Sequence, residues 1–320
     1  EIDQGAVLAD LDTPPEEIET VTANATFDAF KPRITIDHQV SDNHLIYGLV
    51  ASGTKPGGFN GPIAIDVGRP TYDEEDVVAV EFGSKNLAFE GQLVANFALY
   101  YNQIEGYQLT QNVRTETNTV SAIANAGDAD IFGLEAEFVY SPAWFQGLTL
   151  IANYAFTNAE FVDGTDENLG LLQDVADDGF VNCSQGNEFP EDEDCTSAFG
   201  DITGKKIPRV SEHQLFVDAE YRGQMGRDWE WFVGANDSYE SSRFAQVVNL
   251  AETGDMSLVS ARLGFTNGRW LFSLWGKNLT DEDTSPLVLR YADGLDSFKR
   301  SFVGTARRPR YVGVTAAFSF

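Results

Sequence analysis

"IFGLEAEFVY", residues 131–140, is the stretch that decides the fold. Phe132, Leu134, Ala136, Phe138 and Tyr140 form one row of alternate positions, and Gly133, Glu135 and Glu137 form the other. Successive side chains of a strand point to opposite faces, so this element has an apolar side and a carboxylate-bearing side. Its neighbours repeat the pattern. In "QLVANFALYYNQ" (92–103), Leu93, Ala95, Phe97, Leu99 and Tyr101 oppose Asn96, Ala98, Tyr100 and Asn102. In "LTLIANYAF" (148–156), Leu148, Leu150, Ala152, Tyr154 and Phe156 share a face. In "HQLFVDAEY" (213–221), Gln214, Asp218 and Glu220 interleave with Leu215, Val217, Ala219 and Tyr221. The chain closes on "RYVGVTAAFSF" (310–320), with Val312, Val314, Ala316, Phe318 and Phe320 together. Aliphatic groups on one face and carboxylates on the other suit lipid outside and water inside.

Working outward, such segments recur at 31–40, 44–53, 76–86, 91–105, 119–140, 147–162, 208–222, 228–244, 256–266, 269–281 and 307–320. Several reach ten residues, the length a tilted strand needs to cross a bilayer; ordinary globular strands are nearer five or six. Short connections (41–43, 86–91, 141–147, 223–228, 266–269) alternate with long ones (54–75, 106–118, 163–207, 245–255, 282–306). That asymmetry belongs to a membrane barrel with short periplasmic turns and long external loops. A soluble β-sandwich also alternates, but it explains the long strands and the loop asymmetry less well. The expected fold is all-β, an antiparallel up-and-down transmembrane β-barrel, with about eleven strands present. Counting back from the last strand assigns residues 1–30 to the end of an external loop and 31–320 to the barrel. An aromatic at the last residue suits a bilayer interface.

Composition narrows the function. Of 320 residues, 21 are Lys or Arg and 50 are Asp or Glu, a formal charge of −29. Nucleic-acid binding needs a basic face for phosphates, so it is excluded. No run of about 18 apolar residues exists, so no membrane-spanning helix is expected. No basic and apolar leader opens the chain, which reads as processed or as part of a longer protein. His38, His44 and His213 are scattered, and no nucleophile–base or metalloprotease motif occurs, so neither catalysis nor a cofactor is expected. Cys183 and Cys195 lie in one acidic segment and are expected to form a local disulfide of an oxidising compartment.

Ordered matches now point to a family. "HLIYGLVASGTKPGGFNG" (44–61), "EEDVVAVEFGSKNLAFEGQLVANFALYYNQIEGYQL" (74–109), "NAGDADIFGLEAEF" (125–138), "WGKNLTDED" (275–283) and "GTARRPRYVGVTAAFSF" (304–320) resemble successive segments of TonB-dependent outer-membrane receptors. Thr54 and Thr284 stand where that family often has aromatics. The family barrel has 22 strands, so the resemblance implies the C-terminal half of such a barrel, with the plug and TonB box absent. It also implies the bacterial outer membrane. The implied partners are an N-terminal half carrying the plug, the TonB-ExbB-ExbD system acting through that half, outer-membrane lipids and a small-molecule ligand. The terminal Phe318 and Phe320 resemble the signal read by the barrel assembly machinery.

Candidate ligand contacts fall in the long connections. "KPGGFNG" offers Lys55, Phe59 and Asn60 beside two glycines that let backbone approach a ligand or simply bend a strand end. Arg243 stands at an external strand end. Arg290 and Arg300 belong to a basic group with Lys299, Arg307, Arg308 and Arg310, suited to an anionic ligand or to lipopolysaccharide phosphates. From Asp163 to Asp201 there are twelve acidic residues and no base. Asp177, Asp178 and Glu191 to Asp194 could offer oxygen to Ca²⁺, though without EF-hand spacing, and a solvated lid explains them as well. The expected function is energy-coupled uptake of a scarce ligand, first a ferric siderophore complex. A passive porin or adhesin-type barrel and a soluble carbohydrate-binding β-protein are the alternatives.

Overall fold

The computed structural model describes residues 2–8, 19–61, 64, 68–114, 119–166, 200–292 and 300–320. β1 (Ile2–Leu8) and β2 (Glu19–Ala25) form a separate antiparallel hairpin. The wall begins with β3 (Arg33–Ser41) and β4 (His44–Lys55). A two-residue hairpin, β5 (Gly58–Phe59) with β6 (Thr71–Tyr72), precedes β7 (Glu75–Ala88) and β8 (Leu93–Glu105). β9 (Gln108–Arg114) and β10 (Thr119–Asn125) pair only with each other. The wall resumes with β11 (Gly127–Tyr140), β12 (Leu148–Gly164), β13 (His213–Met225) and β14 (Trp229–Glu240). It ends with β15 (Met256–Thr266), β16 (Trp270–Lys277), the side hairpin β17 (Val288–Ala292) and β18 (Arg300–Gly304), and β19 (Tyr311–Phe318).

Eleven of these form one antiparallel sheet in the order β19-β16-β15-β14-β13-β12-β11-β8-β7-β4-β3. Each wall strand pairs with its nearest wall neighbours in sequence, as an up-and-down barrel requires. The sheet is not closed, and β3 and β19 are its edges. One expectation needs correction. Residues 119–140 alternate as one strand, yet the chain turns at Gly127, whose φ is +149°. A side chain there would collide with the Asp163 carbonyl. Residues 119–125 therefore leave the wall to pair with 108–114, and the expected loop 106–118 is half of an external hairpin.

Register sorts the side chains by solvent. Leu134 lies between Leu99 and Phe156, while Glu135 lies between Ala98 and Ala155. Phe82, Phe97 and Leu99 are 56%, 41% and 43% exposed, a continuous apolar face suited to lipid. The opposite, luminal face carries Tyr47, Glu81, Asn96, Glu137, Asp218 and Arg262. Asn96 donates to Glu137 at 2.9 Å, and Tyr47 donates to Glu81 at 2.6 Å. Arg262 binds Asp218 through both terminal nitrogens at 2.8 and 3.0 Å and reaches Glu220 at 2.8 Å.

The short turns carry an aromatic rim. Phe145 stacks on Tyr221 at 5.1 Å, Tyr221 meets Trp231 at 5.3 Å, and Trp229 meets Phe265 at 5.6 Å. Trp270 packs on Phe318 at 4.6 Å, and Phe318 on Phe320 at 6.1 Å. Amphipathic rings favour the bilayer interface, which places this end at one membrane surface.

Candidate functional site: an outer vestibule

At the long-loop end the luminal face turns apolar. Ile104, Ala129, Ala159 and Phe161 of the wall are buried against Ile202, Ile207, Val247 and Val248 of the loops. Tyr107 meets Phe161 edge to face at 5.3 Å. The loops thus fold inward over the lumen, because their apolar residues find the strand ends there.

Polar clasps hold them. The Lys206 ammonium binds Glu160 and Glu212, each at 2.7 Å, and Asn158. Burial alone would lower the Lys206 pKa, but the bonds to Glu160 and Glu212 outweigh it and hold the group above its ordinary range. Gln108, buried, donates to the carbonyls of Pro56 at 3.0 Å and Asp73 at 2.9 Å. Asn125 donates to the Gly106 carbonyl at 2.8 Å and accepts the Asp73 amide at 2.8 Å.

Between these loops lies a cleft of about 410 Å³, where Tyr107, Leu109, Val247 and Val288 stand beside Asp166 and Arg209. Burial, then the negative charge of Glu75, raises the Tyr107 pKa, so its phenol stays a neutral donor. Arg209 is exposed, sits in the left-handed region at φ +68°, and has no carboxylate partner among the described residues. A cleft of mixed lining, with one exposed guanidinium and one buried carboxylate, suits a small organic ligand that carries polar groups.

The residues expected from sequence are dispersed around this cleft. Lys55, 57% exposed at its side chain, lies 3.6 Å from Glu75. Phe59 pairs with Thr71 in the β5–β6 hairpin. The adjacent glycines make room for Tyr72, with which a Cβ at either position would collide. Asn60 donates to the carbonyls of Arg69 and Ile123 and accepts the Ile123 amide, so its side chain ties this hairpin to β10. Arg243 binds Glu240 at 2.9 Å and the Pro286 carbonyl at 2.8 Å. Arg290 pairs with Phe302, and Arg300 with Ala292, in the backbone of β17–β18, the hairpin that brings Val288 and Leu289 to the cleft. Cys183, Cys195 and the acidic candidates Asp177, Asp178 and Glu191 to Asp194 lie outside the described residues. Tyr107 and Arg209 carried no motif. Only their place between strand ends hints at the site.

An amphipathic up-and-down wall with an aromatic rim and inward-folded loops is the wall of an outer-membrane β-barrel. The model of the TonB dependent receptor-like β-barrel matches residues 9–279, and the chain belongs to that family. It is a receptor of the bacterial outer membrane by class. Three solved structures share the fold. The ferric yersiniabactin uptake receptor FyuA from Yersinia pestis is 17% identical with a TM-score of 0.67, over 95% of this chain and 39% of that one. The siderophore receptor PiuA from Acinetobacter baumannii is 16% identical with a TM-score of 0.66, over 96% and 38%. The copper transporter OprC is 14% identical with a TM-score of 0.59, over 95% and 40%. The chain therefore spans about two fifths of the length of these receptors.

Proposed function

We propose that this chain is the C-terminal wall of a receptor for energy-coupled import, and that its ligand is a ferric siderophore complex captured at the outer vestibule. The reading rests on one observation above others: loops that fold inward to leave a cleft of mixed lining in which Arg209 has no carboxylate partner among the described residues. Lys55, Phe59, Asn60, Arg243, Arg290 and Arg300 are the further candidate contacts of the outer loops; Lys55 and Arg243 are already paired with Glu75 and Glu240 and the chain carries −29, so capture of an anionic chelate depends on short-range contacts rather than on long-range attraction. An N-terminal half with the plug closes the barrel and transmits force from TonB-ExbB-ExbD. The barrel assembly machinery inserts the protein by its terminal strand, with Phe318 and Phe320 as the recognised residues.

The test is growth under iron chelation and uptake of radiolabelled ferric complexes by cells that carry or lack the full-length receptor. Import that requires the receptor and stops when the proton gradient is collapsed is expected. Uptake that persists without the gradient identifies a passive pore and overturns the reading. Arg209→Ala is expected to weaken capture roughly tenfold, the size of one charge-assisted contact.

A further inference from the structure

The bilayer-facing side of the wall changes character at its long-loop end, where four carboxylates are exceptions to the luminal placement. Asp76 shares the face of Val78, Val80 and Phe82 on β7, and Asp130 that of Phe132 and Leu134 on β11. Glu160 follows Phe156 and Asn158 on β12, and Asp237 follows Trp231 and Val233 on β14. Asp130 and Glu160 are direct cross-strand partners, a like-charge pairing that weakens a sheet unless other groups satisfy it.

The same device recurs around the wall. The Thr54 hydroxyl donates to Asp76 at 2.6 Å, the Tyr101 hydroxyl to Asp130 at 2.6 Å, and the Ser257 hydroxyl to Asp237 at 2.7 Å. Each brace comes from an adjacent wall strand and engages one carboxylate oxygen; the other oxygen has no donor among the described residues. Glu160 is held by Lys206 at 2.7 Å, whereas Asp76, Asp130 and Asp237 have no cation partner among the described residues. An ionised carboxylate does not rest in hydrocarbon, so the acyl layer ends short of this row. The strand length agrees. Tyr140, at the short-turn end of β11, meets Trp144 of the aromatic rim. From Phe132 to Tyr140 the tilted strand rises about 23 Å, close to the roughly 25 Å apolar band of such barrels. The carboxylates therefore stand at the height of the outer headgroups, continuous with the exposed apolar row below them.

What meets this row has to donate hydrogen bonds. Ionised phosphate only accepts them and carries the same sign of charge, while sugar hydroxyls donate. Among the described residues no three acidic, histidine or cysteine side chains converge closely enough to hold a metal ion, so the spacing suits separate hydroxyl groups. We propose that Asp76, Asp130, Glu160 and Asp237 form a collar that binds the sugar headgroups of outer-leaflet glycolipids. The inference goes beyond import and stands whatever the imported ligand is.

Native mass spectrometry of the purified full-length receptor counts the lipids it retains. The probes are digalactosyl diacylglycerol, phosphatidylglycerol and phosphatidylcholine, each offered in the presence of EDTA. Retention of the digalactosyl lipid is expected to exceed that of the other two by about fivefold or more, the size of one or two net hydrogen bonds. Asp76→Leu with Asp130→Leu is expected to erase the preference. Asp76→Asn with Asp130→Asn, which keeps an acceptor at each position, is expected to preserve most of it. Heat-modifiable gel mobility checks that every variant folds. Equal retention of the three lipids overturns the assignment, as does a preference that survives the leucine pair, which would put the sugar elsewhere on the wall. Phosphatidylglycerol retained above the digalactosyl lipid once magnesium replaces EDTA also overturns it, because the collar would then face phosphates bridged by a cation.

Discussion

At the residue scale, aromatic side chains and glycines recur as direct cross-strand partners. Tyr47 faces Gly83, Tyr100 faces Gly133, Trp231 faces Gly223 and Trp275 faces Gly313. In each pair the ring lies where a Cβ would stand. A large ring thereby lies flat against the wall, and the register is locked, because a one-residue slip would put the ring over a side chain. Arg262 has a comparable role for charge. Removing it would leave Asp218, its side chain 9% exposed, without a cation, while Glu220 keeps Arg222 at 2.7 Å. Arg262→Leu is expected to cost about 1–3 kcal/mol, the range for an unpaired, largely desolvated charge. The loss should appear as a lower temperature at which the heat-modifiable gel band disappears. Adding Asp218→Asn should recover part of it. No recovery would mean that the arginine acts through packing alone.

At the element scale, the turn after β16 shows why "NLTD" is written as it is. Asn278 and Asp281 adopt positive φ, +51° and +59°. The Asn278 side chain accepts the Glu282 amide at 2.7 Å, and that of Asp281 accepts the Arg310 amide at 2.8 Å. Glu282 completes the knot. The Thr284 hydroxyl and amide, then the Ser257 amide and Arg307, hold its carboxyl below the usual glutamate range. A depressed folded-state pKa means that this contribution is fully present above the unfolded value near 4.3 and is lost as pH falls through the lower folded value. Relative to an unfolded control peptide, which corrects for pepsin's own pH dependence, cutting within residues 278–292 is therefore expected to rise as the pH is lowered from 5. In Glu282→Gln, the ratio to the control peptide should stay constant across that range; a ratio that still changes with pH in the variant would remove Glu282 from the argument. The eleven wall strands were legible because two solvents impose a strict period of two on every one. The vestibule was not. Ile202, Val247 and Val248 lie in connections without period, and the role of Gly127 depends on its approach to Asp163, which alternation does not encode.

At the scale of the whole molecule, one sheet separates two solvents while its loops build a third environment. The acidic excess, −29 over the chain, is compatible with membrane insertion because the carboxylates of the wall, such as Glu135, Glu137 and Asp218, stand on the luminal side. Phe97 and Asn96 put this to the hardest test, since they are adjacent in β8 and differ only in face. Phe97 packs on Phe138 at 5.5 Å on the lipid side, and Asn96 reaches Glu137 on the other. A spin label at residue 97 of the full-length receptor in bilayers is expected to relax strongly with dissolved oxygen and weakly with a water-soluble nickel chelate, because oxygen partitions into hydrocarbon and the chelate does not. The label at residue 96 should show the reverse, or protection from both if the plug covers it. Equal oxygen exposure at the two sites would mean that no face of the sheet touches acyl chains. The exposed row of Phe82, Phe97 and Leu99 would then have to be covered by protein, and the vestibule would be no mouth of a pore.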